Sequence, residues 1–80
     1  MLSLTQEQRE QLDRVGQSLI HVGNAVRECF KHACVGSKTP MQPLDICLEQ
    51  EQRVLRGEGL GQIADALIAF RASFGEQANG

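Results

Sequence analysis

The sequence contains no tryptophan and no tyrosine, and only three phenylalanines. Its bulky core material is therefore leucine, isoleucine and valine. A chain of 80 residues makes at most one domain. A domain of this size buries only ~60% of its unfolded surface, so a lone core is marginal. Small chains of this kind commonly add metals, staples or partner subunits. The shortage of aromatics is a first pointer to association.

Other scarcities exclude other classes. The net charge is −2, with acidic and basic residues interspersed. That leaves no basic footprint for a nucleic-acid backbone. Without an aromatic platform, bases have nothing to stack on. The longest uninterrupted apolar run, Ala66 to Phe70, is far too short to cross a bilayer. The opening Met1–Glu7 has neither a basic start nor an apolar run, so no secretory leader is expected there. The three cysteines are an odd number inside or beside apparent helices. They fit a reducing, cytoplasmic setting better than a disulfide framework. The two prolines, Pro40 and Pro43, stand close together and leave Thr5 to Cys34 uninterrupted.

That uninterrupted stretch opens on a helix start signal. Thr5 is a natural N-cap, and Gln8 completes a capping box. Glu7 and Glu10 lie where the helix dipole favours negative charge. Apolar residues follow at Leu12, Val15, Leu19, Val22, Val26, Cys29 and Ala33, stepping alternately by 3 and 4. This is a heptad seam. Gly16, Gly23 and Phe30 widen it. A helix over 5–34, of about 30 residues, would be roughly 45 Å long. Gly36 is a plausible terminator. Residues 35–43 read as a turn, although Thr39 before Pro40 could also open the next helix.

A second helix is expected over about 44–56. Its stripe is Leu44, Cys47, Leu48, Glu51, Val54 and Leu55, with Glu51 the one charged intruder. Gly57, Gly59 and Gly61 follow, each costing ~1 kcal/mol of helix stability relative to alanine. The apolar phase changes here and resumes as Leu60, Ile63, Leu67, Phe70 and Phe74. Residues 57–61 read as a hinge. The segment from 60 to 74 is either a third helix or a kinked continuation of the second. The tail, 75–80, is expected to fray. Folding the chain about Lys38–Thr39 would set residues whose numbers sum to roughly 78 side by side. That pairs Arg27 with Glu51, Arg14 with Asp65 and Glu10 with Arg71, all of opposite sign.

The expected fold is therefore all-α. It is an antiparallel helical hairpin with a long first helix and a glycine-kinked second arm, two to three helices in all. Each arm carries an apolar stripe wider than two helices can cover. Oligomerisation into a helical bundle is the expected remedy. Leu12, Val15, Gly16, Leu19, Val22, Gly23, Val26 and Phe30 form the expected oligomer seam. Leu60, Ile63, Leu67, Ile68, Phe70 and Phe74 form the most hydrophobic surface, and there a protein partner is expected. In size and plan the chain resembles short helical-hairpin proteins used as secretion chaperones, as phage-encoded inhibitors and as oligomeric sponges for signalling nucleotides. No motif carries that likeness, so no residue role transfers with it.

Sites for chemistry are few. Cys29, His32, Cys34 and Cys47 match no zinc spacing, because Cys34 is rotated ~140° from Cys29 on a helix. The plainer reading makes Cys29 and Cys47 small core residues. A Cys34–Cys47 disulfide across the turn is conceivable. His21 falls on an outward position. No serine or cysteine has the setting of an activated nucleophile. The carboxylates Glu7, Glu10 and Asp13 read as a solvated surface. Neither catalysis nor a metal or cofactor is expected. The glycines Gly57, Gly59 and Gly61 lead into a helix start, with Arg53 and Arg56 beside them. They would suit a phosphorylated ligand, but Glu58 opposes an anion, and a hinge is the simpler reading. Three functions follow in order: a protein-binding module, an oligomer that binds a phosphorylated ligand between subunits, and a structural subunit of a helical assembly.

Overall fold

The structure, a computed structural model, describes residues 3–76. It is all-α, with three helices among the described residues: α1 (Gln6–Cys34), α2 (Gln42–Gly57) and α3 (Gly61–Ala72). The first helix starts as its capping box requires. The Gln8 backbone N–H donates to the Thr5 hydroxyl at 3.1 Å, and the Thr5 backbone N–H donates to the Gln8 side chain at 2.9 Å. Two of the four N–H groups left open at a helix start are answered in this way. At the other end Gly36 takes a left-handed conformation (φ +76°). That lets Ser37 N–H reach back to the His32 carbonyl at 3.0 Å, closing the helix in a Schellman turn.

The second helix begins at Gln42, with Pro43 in its first turn. It thus starts two residues before the expected boundary. A proline there forfeits no helical hydrogen bond. The glycine-rich stretch is a full chain reversal and not a kink. Gly59 is left-handed (φ +79°), and Leu60 N–H donates to the Leu55 carbonyl at 2.8 Å. This is a second Schellman turn, and it ends α2 outright. Within the expected 60–74 segment, α3 is therefore a separate helix folded back on α2. The tail positions Gln77 to Gly80, expected to fray, lie outside the described residues.

The middle helix packs against both others, and the backbones of α1 and α3 do not approach each other closely. Side-chain contacts fix the directions. Arg14 of α1 meets Glu58 and His21 meets Glu51, each pair summing to 72 in residue number. Arg71 of α3 meets Asp45, and Asp65 meets Arg56. So α2 runs antiparallel to both neighbours, and α3 runs alongside α1 in the same direction. The expected pairs Arg27–Glu51, Arg14–Asp65 and Glu10–Arg71 do not form. Asp65 and Arg71 sit on α3, which faces α2, and Glu51 is taken by His21. His21, expected to be merely solvated, thus has a partner.

The core is small. Val22, Ala25 and Cys29 of α1 pack on Leu44 and Leu48 of α2, with Val26, Met41, Cys47 and Leu67 around them. Leu55 and Ala64 are fully buried nearer the second turn. The α1 stripe facing α2 is Ser18, Val22, Ala25 and Cys29, rotated from the expected seam. The side chains on that face are mostly small, and the bulkier residues lie on the flank. Leu12, Leu19 and Phe30 are consequently exposed (61%, 43% and 67%). Glu58 meets α1 at Gln11 and Arg14, so residues 6–10 run past the end of α2. The molecule is elongated, 54 × 20 × 19 Å.

Candidate functional site

The bulky residues displaced from the α1–α2 contact share one side of α1. Leu12, Gly16, Leu19, Gly23, Val26 and Phe30 step by 4, 3, 4, 3 and 4. Helix geometry sets this stripe roughly 100° around from the face that meets α2. On α3, Leu67 reaches the core, Leu60 is half-buried, and Ile63, Phe70 and Phe74 are exposed beside them. Of the six residues expected to form one surface, five therefore lie on or beside the side turned toward α1. Ile68 lies on the other flank, roughly 120–160° around from Ile63, Phe70 and Phe74 by helix geometry.

The ends of the two apolar stripes, at Phe30 and at Phe70 and Phe74, come together beside α2. Near the first turn they enclose a hollow of about 530 Å³. Val26, Phe30 and Ala33 line it from α1, Met41 and Leu44 from its floor, and Phe70 and Phe74 from α3. The two phenylalanine rings pack edge to face, with centroids 5.1 Å apart and planes at 87°. That geometry suits the ring quadrupoles. Arg71 stiffens the same helix from behind. Its Nε and Nη2 donate to both carboxylate oxygens of Asp45, at 2.5 and 3.2 Å. Its Nη1 donates to the Gly75 carbonyl at 2.8 Å. The Asp45 hydrogen bond raises the pKa of Arg71, outweighing the opposite pull of burial.

Ser37, Lys38 and Glu76 add polar residues to the lining of this hollow, and the other ion pairs lie away from it. Arg14 donates to Glu58 at 2.6 Å, and that hydrogen bond holds Glu58 below its ordinary pKa while raising that of Arg14. Burial pushes the Cys47 thiol up, with Glu51 adding to the effect. All three cysteines are free thiols: Cys29 buried, Cys47 half-buried and Cys34 exposed. Among the described residues no group of His, Cys, Asp and Glu is placed to hold a metal ion. Among the described residues no helix is long and apolar enough to cross a membrane.

The glycine turn is arranged around its own chain. Arg56 donates to Gln52 at 2.8 Å and to Asp65 at 2.7 Å. Gly57 closes α2, Gly59 makes the left-handed turn and Gly61 opens α3. Arg53 is exposed. Sequence reasoning did not single out Ser18 and Ala25, which carry the close α1–α2 contact. The usable signal was the run of small side chains at Ser18, Ala25 and Cys29, spaced by 7 and 4.

No known protein family, curated protein or solved structure matches this chain.

Proposed function

We propose that the protein is a helical protein-binding module that receives an amphipathic helix in the trough between α1 and α3. One observation carries the reading. Leu12, Leu19 and Phe30 of α1 and Ile63, Phe70 and Phe74 of α3 are all exposed, and Phe30 lines one hollow together with Phe70 and Phe74. A helix laid into such a groove buries its apolar face on both walls and on the α2 floor. Adaptor, chaperone and inhibitor roles all operate through a surface of this kind, and so does assembly into a larger helical structure. The binding chemistry is apolar burial at ~25 cal/mol per Å², with orientation set by charges at the rim.

A phosphorylated ligand gripped by Arg53, Arg56 and the turn glycines is the weaker alternative. It would have to draw Arg56 away from Asp65 and Gln52.

The test combines sedimentation with binding of an apolar fluorescent dye. The expected result is a chain that is either heavier than its 8.8 kDa monomer mass or binds the dye as a monomer. Phe70→Asp should remove whichever property is present while leaving helicity by circular dichroism unchanged. A monomer that takes up no dye overturns the reading.

A further inference from the structure

We infer that the occupant of the trough is α1 of a second copy, laid antiparallel across a two-fold axis at Ile20–His21. This rests on the binding reading above and names the helix that is bound.

The first observation is that α1 carries two apolar seams and its own chain covers one. Ser18, Val22, Ala25 and Cys29 are buried against α2. The second seam, Leu12 to Phe30, keeps heptad spacing along its whole length, which is the pattern of a helix with a helical neighbour. Its two glycines are unexplained by the chain itself. Gly16 and Gly23 lie inside a regular helix, and a Cβ added at either would meet nothing within 4 Å. Glycine is among the poorest helix formers, and nothing within this chain requires it at these positions. A close neighbour from outside would.

Glycines alone do not say which neighbour. The order of residues along the seam does, because the seam is complementary to its own reversal. Turned antiparallel, Leu19 faces the partner's Gly23, Gly16 faces the partner's Val26, and Leu12 faces the partner's Phe30. Every facing pair sums to 42 in residue number. In the middle a large side chain always meets a glycine. Such self-complementarity is the requirement of a two-fold interface, in which residue i meets j and j meets i.

Charge selects the same register. Asp13, Ile20 and Arg27 lie one position beyond Leu12, Leu19 and Val26, along one edge of the seam, and all three are exposed. Neither Asp13 nor Arg27 takes part in the ion pairs found among the described residues. The antiparallel register brings Asp13 beside the partner's Arg27 and Arg27 beside the partner's Asp13, with Ile20 meeting the partner's Ile20 near the axis; these edge pairs sum to 40 and are offset by only ~3 Å from level. A parallel pairing would oppose Asp13 to the partner's Asp13, and glycine to glycine. It would leave like charges in contact and voids in the seam.

The hollow supplies the anchor. Leu12 is 61% exposed in the single chain. In this register the partner's Leu12 arrives at the level of Phe30, where Phe70 and Phe74 complete a hollow of about 530 Å³. The two-fold axis repeats this anchor at both ends. Buried side chains held in such pockets dominate the energy of most interfaces.

Sedimentation of the full chain at micromolar concentration tests this. The expected mass is twice 8.8 kDa. Asp13→Arg should weaken the dimer roughly tenfold, Arg27→Asp likewise, and the double variant should recover most of the loss. Circular dichroism on each variant checks that the monomer fold is intact. A monomeric wild type that binds the apolar dye overturns the second copy as occupant while the binding reading stands. A monomer without dye binding overturns both. A dimer in which the double variant is as weak as the single ones overturns the antiparallel register.

Discussion

The two apolar faces of α1 differ in what lies on them and in what they meet. The inner face carries Ser18, Val22, Ala25 and Cys29, all buried against α2. The outer face carries Leu12, Leu19 and Phe30, all exposed, with Gly16 and Gly23 between them. The larger hydrophobic side chains are thus on the face that the chain leaves open. An isolated hairpin would be expected to turn its larger residues inward, since burying a leucine stabilises by ~1.5–3 kcal/mol. The inversion has a physical reason. Small residues face α2 on the inside, and the proposed association would bury the larger residues outside against a neighbour.

Substitutions on each face separate the two roles. The largest effect is expected in the core. Leu48→Ala should lower folding stability by about 3 kcal/mol, because it removes buried methyl groups and leaves a cavity. Chemical denaturation measures this. On the open face, Leu19→Glu should leave the helical signal unchanged and abolish association, read by sedimentation. If instead it unfolds the chain, the outer face is part of the core and the comparison fails.

A smaller effect of opposite sign is expected at Ser18. Its hydroxyl is buried with no hydrogen-bond partner among the described residues. Leaving a hydroxyl unpaired away from water costs ~1–3 kcal/mol. Ser18→Ala should therefore raise stability by about 1 kcal/mol. Destabilisation would mean that the hydroxyl is satisfied in solution.

The smallest effect concerns pH. The Arg14 hydrogen bond holds Glu58 below its ordinary value. A carboxylate with a depressed folded pKa contributes stability that is complete above its unfolded value, about 4.3. That contribution is lost as pH falls through the lower folded value. Acid titration of the wild type should show this loss below about pH 4.3, and Glu58→Gln should remove it. Arg14 is exposed and Glu58 only half-buried, so the change should be slight. An unchanged acid profile in Glu58→Gln would show that the pair contributes nothing.

How much of this was legible in the sequence depended on the range of the interaction. The Thr5–Gln8 capping box and the Gly36 terminator were read correctly because they are decided within a few residues. The change of apolar phase after Arg56 marked the break before α3. Its meaning as a full reversal was not legible, because it rests on Gly59 taking a left-handed backbone. The charge register failed for a longer-range reason. The sequence marks which residues turn, not the path they follow, and α3 packs on α2 instead of α1. The outer seam was visible only as part of a broad stripe. Leu12, Val15, Leu19, Val22, Val26, Cys29 and Ala33 merge two faces into one heptad. They come apart once α2 is seen to choose Ser18 and Ala25. Asp13, Ile20 and Arg27 gained significance only then.

The most direct test of two separate faces sets Gly23→Leu beside Ala25→Leu. Ala25 is buried against α2, whereas the space beside Gly23 is open within the chain. Overpacking at Ala25 should cost about 1–3 kcal/mol of folding stability. Gly23→Leu should stay folded and sediment as the 8.8 kDa monomer, its new side chain filling the space where a neighbouring helix would sit. A Gly23→Leu chain that associates as tightly as the wild type would contradict the account.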